Sequence, residues 1–237
     1  MHTRFLIAAG ALALAVAAFA GGFAFERVRG TDEARMTAAV REALLTHPEI
    51  LPEAMDRLRQ KETARALESA GKGLTNAYPG AVLGNPAGTT VLVEFTDYAC
   101  TYCRRSLPDV QALIAADPQL KIVTRELPIL GPGSVAAARV ALLAARQGKY
   151  AAFHDAMFAM GPPTQASISA AARKAGVDTS PLAKRDPAIE GELARNLDFA
   201  RQLGIGGTPA WIVGDQVLSG AIGREALARA LAEGKPA

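Results

Sequence analysis

Only two cysteines and three histidines occur in 237 residues. A disulfide-stapled scaffold needs several cysteine pairs and a structural zinc site needs about four ligands, so neither holds this fold together. Aromatics are also scarce, at 5% with a single Trp; the apolar half is mostly Ala, Leu, Ile and Val, which favours helices with small side chains. No sign of charge dominates, since 26 basic against 23 acidic residues leave +3. These charges are spread along the chain without a basic block, which argues against a nucleic-acid partner. With half the residues hydrophobic, disorder is equally poor as a reading. The length corresponds to one domain plus an appendage.

The longest uncharged run is Phe5 to Phe25, preceded by Met1-His2-Thr3-Arg4 and followed by Glu26-Arg27-Val28-Arg29. Its basic start, Ala/Leu-rich centre and Ala18-Phe19-Ala20 before Gly21-Gly22 fit a secretory signal peptide. The run also reaches the roughly 20 residues that span a bilayer. Residues 1–25 are therefore expected to be a signal peptide or a membrane anchor, and either places the rest of the chain in an oxidising compartment.

Residues 31–75 read as an all-helical extension. Val40, Leu44, Leu51, Met55 and Leu58 form an apolar stripe, with Leu44, Leu51 and Leu58 spaced by seven. Thr46-His47-Pro48-Glu49 resembles a capping box, so one helix should end near Leu45 and another start there, with Pro52 bending or restarting it. The stripe is too narrow for a core of its own and must pack on the main domain or on a copy of itself, as an oligomerisation stalk. Gly71-Lys72-Gly73, Asn76 to Gly80, Gly84 and Asn85-Pro86 read as linker.

From residue 80 to 237 the pattern is mixed α/β. Thr89 to Phe95 is a β-branched run of strand length, a helix runs from Cys100 to about Ala116, and Leu120 to Leu127 is a second strand. This is a βαβ unit with parallel strands. A helical insertion follows over about 134–203. Ser134 caps a helix to Gln147, Lys149 to Met160 makes another, Thr164 to Ala175 a third, and Ser180-Pro181 and Asp186-Pro187 each open a start. Thr208 to Val213, a Gly214-Asp215 turn and Gln216 to Ser219 then form a hairpin, and Arg224 to Glu233 a last helix.

The two cysteines stand as Cys100-Thr101-Tyr102-Cys103 at a helix start. A thiolate at a helix N-terminus is stabilised by unpaired backbone N–H groups and the positive end of the dipole. Cys103 lies one turn on, along the same face, and can resolve a mixed disulfide formed on Cys100. Cys100 is thus the expected nucleophile and Cys103 the resolving thiol. Two other readings stand beside this one. A structural disulfide gains little by closing so short a loop; a Cu(I) site fits two thiolates, which fall short of a zinc tetrahedron.

Val91-Leu92-Val93-Glu94-Phe95, the Cys100–Cys103 motif and the distant Gly206-Gly207-Thr208-Pro209-Ala210 together resemble the thioredoxin superfamily. The helical insertion brings the resemblance closer to the DsbA family of periplasmic thiol:disulfide oxidoreductases, and Leu44 to Leu51 is similar to the N-terminal region of ScsC, the suppressor-of-copper-sensitivity protein. The resemblance implies a thioredoxin fold and a redox-active Cys100–Cys103 disulfide with no other cofactor. It implies a periplasmic location, a cis Pro209 with the Thr208 backbone holding substrate, and proton transfer by a buried Glu94. Thr101 and Tyr102 shape the thiol environment; Tyr102 stands where strongly oxidising members carry His, which leaves the helix terminus to stabilise the thiolate. The implied partners are unfolded or misfolded exported proteins and a membrane redox partner, with a homo-oligomer through 31–75 and no nucleic acid. Isomerase or reductase, disulfide-donating oxidase and Cu(I)-binding copper-tolerance protein remain the alternatives. Trp211 is expected in the core, His154 at a helix-packing position, and His47 and His2 without partners; the loop Leu127 to Gly133 reads as structural.

Overall fold

The computed structural model describes residues 34–183 and 185–234; the expected leader lies outside them. The chain divides into two compact units, Met1–Arg59 and Gln60–Ala237.

Residues 34–46 are helical (α1), and a turn at 47–49 leads into a second helix, α2, Ile50–Ala70, which begins in the first unit and ends in the second. Thr46 is the last residue of α1 and not the cap of α2, which corrects the capping-box reading. The amide of Ile50 instead bonds to the carbonyl of His47 at 3.2 Å. Pro52 sits in the first turn of α2, where its missing N–H would have no intrahelical acceptor, so it neither bends nor restarts the helix. Val40, Leu51, Met55 and Leu58 are each more than half exposed.

In the second unit the described residues build one five-stranded sheet, ordered β1-β3-β2-β4-β5, from β1 (Val82–Gly84), β2 (Thr90–Thr96), β3 (Leu120–Glu126), β4 (Ala210–Val213) and β5 (Gln216–Ser219). β2 and β3 are parallel and joined through α4 (Thr101–Ala116), the expected βαβ unit. β4 and β5 form the expected antiparallel hairpin, its two-residue turn opened by Gly214 at φ +56°. Alternation then sorts the side chains. Leu92, Ile122 and Trp211 join a core with residues from α4, α5 (Pro132–Arg146), α6 (Tyr150–Ala159), α7 (Gln165–Ala175) and α9 (Arg224–Glu233). Val93, Phe95, Val123 and Ile212 join a second core with Leu74 and with Phe199 and Ala200 of α8 (Pro187–Gln202).

The helix punctuation follows the side chains. Thr164 and Ser167 close a reciprocal capping box at α7, and the Asp186 carboxylate accepts from the amides of Ala188 and Ile189 at α8. The third start is corrected. α5 begins at Pro132 behind Gly131, because Pro is preorganised for a first helical position, and Ser134 is buried inside the first turn. Ser180-Pro181 opens only a 3₁₀ turn, Ser180–Ala183.

The segment read as linker is also ordered. It contains a short helix, α3 (Lys72–Thr75), and β1, which pairs antiparallel with β3. Arg125, fully buried on β3, holds this segment down. Its guanidinium donates to the carbonyls of Gly73 (2.6 Å), Leu74 (2.8 Å) and Asn76 (2.7 Å), and to Glu192 Oε1 (2.7 Å) and Asn196 Oδ1 (3.2 Å) on α8. Gly80 adds a close approach, at φ +83°, where a Cβ would stand 2.1 Å from the carbonyl oxygen of Ala145.

Candidate active site

β2 ends at Thr96, and Asp97 begins the turn that delivers the cysteines. One oxygen of its buried carboxylate accepts from the Ala99 amide at 2.8 Å; the other accepts from Ile129 (2.9 Å) and Leu130 (3.0 Å) in the loop after β3. Its backbone carbonyl takes the amide of Cys100 at 3.0 Å. One side chain therefore joins the two loops that leave the ends of β2 and β3.

Cys100 occupies the N-cap of α4, with extended backbone angles and its sulfur in the place where Ser or Asp would normally sit. The sulfur accepts from the Cys103 amide at 3.2 Å and lies 3.1 Å from the Thr208 carbonyl oxygen. An orphan helix N–H thus finds its acceptor in the sulfur. Both cysteines are free thiols, 4% and 1% exposed, so Cys100 presents the larger edge. Burial pushes the Cys103 thiol well above the ordinary range, with the nearby Glu94 adding to the effect.

Glu94 lies on β2, 2% exposed, and its Oε2 has no hydrogen-bond partner. Burial raises its carboxyl to about 8. The sequence reading thus placed this acid inside correctly, through a strand covered on both faces. It missed a second buried acid. Glu126, at the end of β3, accepts from Tyr98 Oη at 3.1 Å and Tyr150 Oη at 2.8 Å, and burial raises it also to about 8. Asp97, Tyr98, Tyr150 and Arg125 were missed likewise; Asp97 alone had a local signal, a carboxylate two residues before an amide it could bond.

Thr208 precedes Pro209 by a cis peptide bond, and the Pro209 carbonyl takes the Gly220 amide at 2.8 Å. Thr101 and Tyr102 are exposed at the start of α4, with the guanidinium of Arg105 5.8 Å from the Tyr102 ring centroid. Tyr102, Arg105, Asp109, Thr208, Gly220 and Ala221 line a cleft of about 380 Å³. Trp211 is fully buried, its indole N–H bonded to the Gly220 carbonyl at 2.9 Å. His154 is buried among Tyr98, Tyr150 and Phe158. His47 lies in the first unit, 3.2 Å from Glu49, and His2 lies outside the described residues. The loop after Leu127 proves structural through its bonds to Asp97.

Among the described residues no group of three or more His, Cys, Asp or Glu side chains is placed to hold a metal ion. No helix among them is long and apolar enough to cross a membrane.

Residues 91–232 match the family described as DSBA-like thioredoxin domain, and residues 32–65 match the copper resistance protein ScsC N-terminal domain. A thioredoxin-like oxidoreductase from Silicibacter pomeroyi DSS-3 is 41% identical, the match covering 69% of this chain and 96% of that one, with a TM-score of 0.65. A linker-deletion mutant of Proteus mirabilis ScsC is 29% identical over 85% of this chain and 93% of that one, with a TM-score of 0.70. The Na(+)/H(+) antiporter NhaA 3 of Salinispora tropica is 27% identical over 186 residues, which are 74% of this chain. The chain spans only 28% of the length of the curated relatives it matches, so that likeness concerns one part of a larger protein. A five-stranded mixed sheet, a CxxC at the start of a helix and a family match over residues 91–232 agree, and the chain belongs to the DSBA-like thioredoxin domain family, with a ScsC-type N-terminal domain ahead of it.

Proposed function

We propose that this protein is an exported thiol:disulfide oxidoreductase that exchanges disulfides with unfolded or misfolded proteins in the periplasm through Cys100 and Cys103. The observation that carries the reading is the placement of the Cys100 sulfur, at a helix N-cap, against the Cys103 amide and beside the Thr208 carbonyl. In the reducing direction the Cys100 thiolate attacks a substrate disulfide, forming a mixed disulfide and releasing one substrate thiolate. Cys103 then gives up its proton to Glu94 and attacks Cys100; the second substrate sulfur leaves with the electron pair, and the Cys100–Cys103 disulfide remains. A substrate segment alongside Thr208 would lie over the cleft lined by Tyr102 and Arg105. A membrane redox partner resets the pair.

The exposed stripe of Val40, Leu51, Met55 and Leu58 supports self-association through residues 31–75, and with it an isomerase or reductase in which several active sites surround one substrate. The likeness of residues 32–65 to a copper resistance protein supports a second reading, Cu(I) held by the two thiols without turnover.

Equilibration with glutathione buffers tests the first reading. A Cys100/Cys103 potential near about −120 mV marks a disulfide donor, and one at about −200 mV or below marks a shuffling or reducing role. One-to-one Cu(I) binding with no catalysis of insulin reduction or scrambled-ribonuclease repair would replace the first reading with the second. A full-length monomer by light scattering would refute the oligomeric form.

A further inference from the structure

Tyr102, Arg105 and Asp109 follow one another at spacings of three and four in α4, so they stand in a row along one face of that helix. The remaining lining of their cleft is of another kind, since Thr208, Gly220 and Ala221 offer backbone and small side chains. That side is fixed from behind. The Gly220 amide donates to the Pro209 carbonyl at 2.8 Å, and the Gly220 carbonyl accepts from the indole N–H of the fully buried Trp211 at 2.9 Å. Thr208 belongs both to the cleft and to the thiol site, its carbonyl oxygen lying 3.1 Å from the Cys100 sulfur. A polypeptide that bonds along Thr208 and reaches Cys100 thus has the row on α4 as its other boundary.

The two charges of that row are unspent. Glu53 and Arg57 of α2, four residues apart with the acid first, pair at 2.7 Å. Arg105 and Asp109 have the same spacing with the cation first, the weaker order, and neither forms an ion pair among the described residues. The Arg105 guanidinium lies instead 5.8 Å from the centroid of the Tyr102 ring, on the side of Arg105 away from Asp109. Read outward from the sulfur, the cleft therefore presents a cation and then an anion. Their spacing suits an extended chain. Along α4, Arg105 stands about 7.5 Å beyond Cys100 and Asp109 about 6 Å further, while side chains two apart on one face of a strand stand about 6.8 Å apart.

We propose that Arg105 and Asp109 select substrate segments by charge order: Arg105 receives an acidic side chain two positions from the reacting cysteine, and Asp109 a basic one four positions from it. This selection rests on the oxidoreductase reading and names the substrate sequence that the thiol site prefers. The chemistry is unchanged. The Cys100 thiolate bonds to the substrate sulfur, and the other half of the substrate disulfide leaves as a thiolate with the electron pair.

The test uses the reduced full chain and two peptide homodisulfides, blocked at both termini. One has the sequence Lys-Ala-Glu-Ala-Cys-Ala-Glu-Ala-Lys and the other Glu-Ala-Lys-Ala-Cys-Ala-Lys-Ala-Glu. Composition and net charge are equal, and the palindromes present the same order whichever way the chain runs. The readout is the ratio of the two single-turnover rates within each protein, so a general change in reactivity cancels. The wild type should favour the first peptide about fivefold at low salt, and high salt should bring the ratio toward one. Arg105→Glu combined with Asp109→Lys should invert the preference; should that variant lose its circular dichroism, Arg105→Gln is expected to remove part of it. A wild-type ratio of one, or a preference that neither variant alters, overturns the selection. Wild-type protein inert toward uncharged hydroxyethyl disulfide and toward both peptides overturns the oxidoreductase reading as well; one that reduces all three without discrimination overturns the selection alone.

Discussion

Cys100 and Thr208 meet across the active site, sulfur to carbonyl oxygen, at 3.1 Å, although 108 positions separate them. One belongs to the first helix of the βαβ unit and the other to the approach to β4. The strand pairing of β2 with β4 holds the two ends in place, with Phe95 opposite Ala210. The sulfur thus faces a backbone edge that a second polypeptide could share.

Cys100→Ser is expected to reduce disulfide exchange to background, while Cys103→Ser should accumulate mixed disulfides with substrate that survive on non-reducing gels. In the wild type, limiting iodoacetamide should label Cys100 first, because Cys103 is less exposed and its thiol is held protonated by burial. Mass spectrometry of the alkylated peptides reads the order; Cys103 labelled ahead of Cys100 would reverse the assignment.

Stability should fall toward alkaline pH. Glu94 and Glu126 titrate near 4.5 when unfolded and at about 8 when folded, so the native state holds their protons more tightly. Their contribution is complete below about pH 4.5 and is lost as the pH rises through about 8, at roughly 2–4 kcal/mol per carboxyl. Asp186 and Glu190, held below the ordinary range by bonds to Arg146 and Arg139, act only at the acid end. Urea midpoints between pH 5 and 9 should slope downward in the wild type and flatten in Glu94→Gln/Glu126→Gln. A double variant with the wild-type slope would refute this origin.

Arg125→Met removes the buried cation of this cluster, leaving Glu192 with Arg195 alone and three backbone carbonyls short of donors. The expected cost is about 3–5 kcal/mol. Proteolysis should then open first in residues 71–84, the stretch that the guanidinium holds down, and a variant cut no faster there than the wild type would contradict the clamp.

Gly80→Ala and Gly148→Ala make a matched pair. Both glycines have positive φ, +83° and +67°, but a Cβ at Gly80 would meet the Ala145 carbonyl at 2.1 Å while one at Gly148 meets nothing within 4 Å. Gly148→Ala should cost about 1 kcal/mol and Gly80→Ala at least about twice that. Equal thermal midpoints for the two would mean the backbone near Gly80 yields.

The cysteine motif, the strand before it, the hairpin at Gly214 and the caps of α7 and α8 were readable because each depends on residues within a few positions of one another. β1 was not, being three residues long among Pro and Gly, with no periodicity to mark it. Ser134 misled because a proline two residues earlier is the stronger start signal. Arg125 looked like one more strand residue, since its partners lie 49 to 71 positions away. Glu126 and its two tyrosines were hidden for the same reason: a buried acid is recognisable only from the donors that surround it.

Arg125 and Glu126 are consecutive, yet their side chains enter opposite cores, the cation meeting Phe199 and Glu192 and the acid meeting Tyr98 and Tyr150. Had β3 docked on β2 one residue out of step, each side chain would turn to the opposite face, away from the partners that satisfy it here. Such a misalignment would be punished twice, once on each side of the sheet. The two side chains thus favour the one register of the strands that carry the thiol chemistry in which both find their partners.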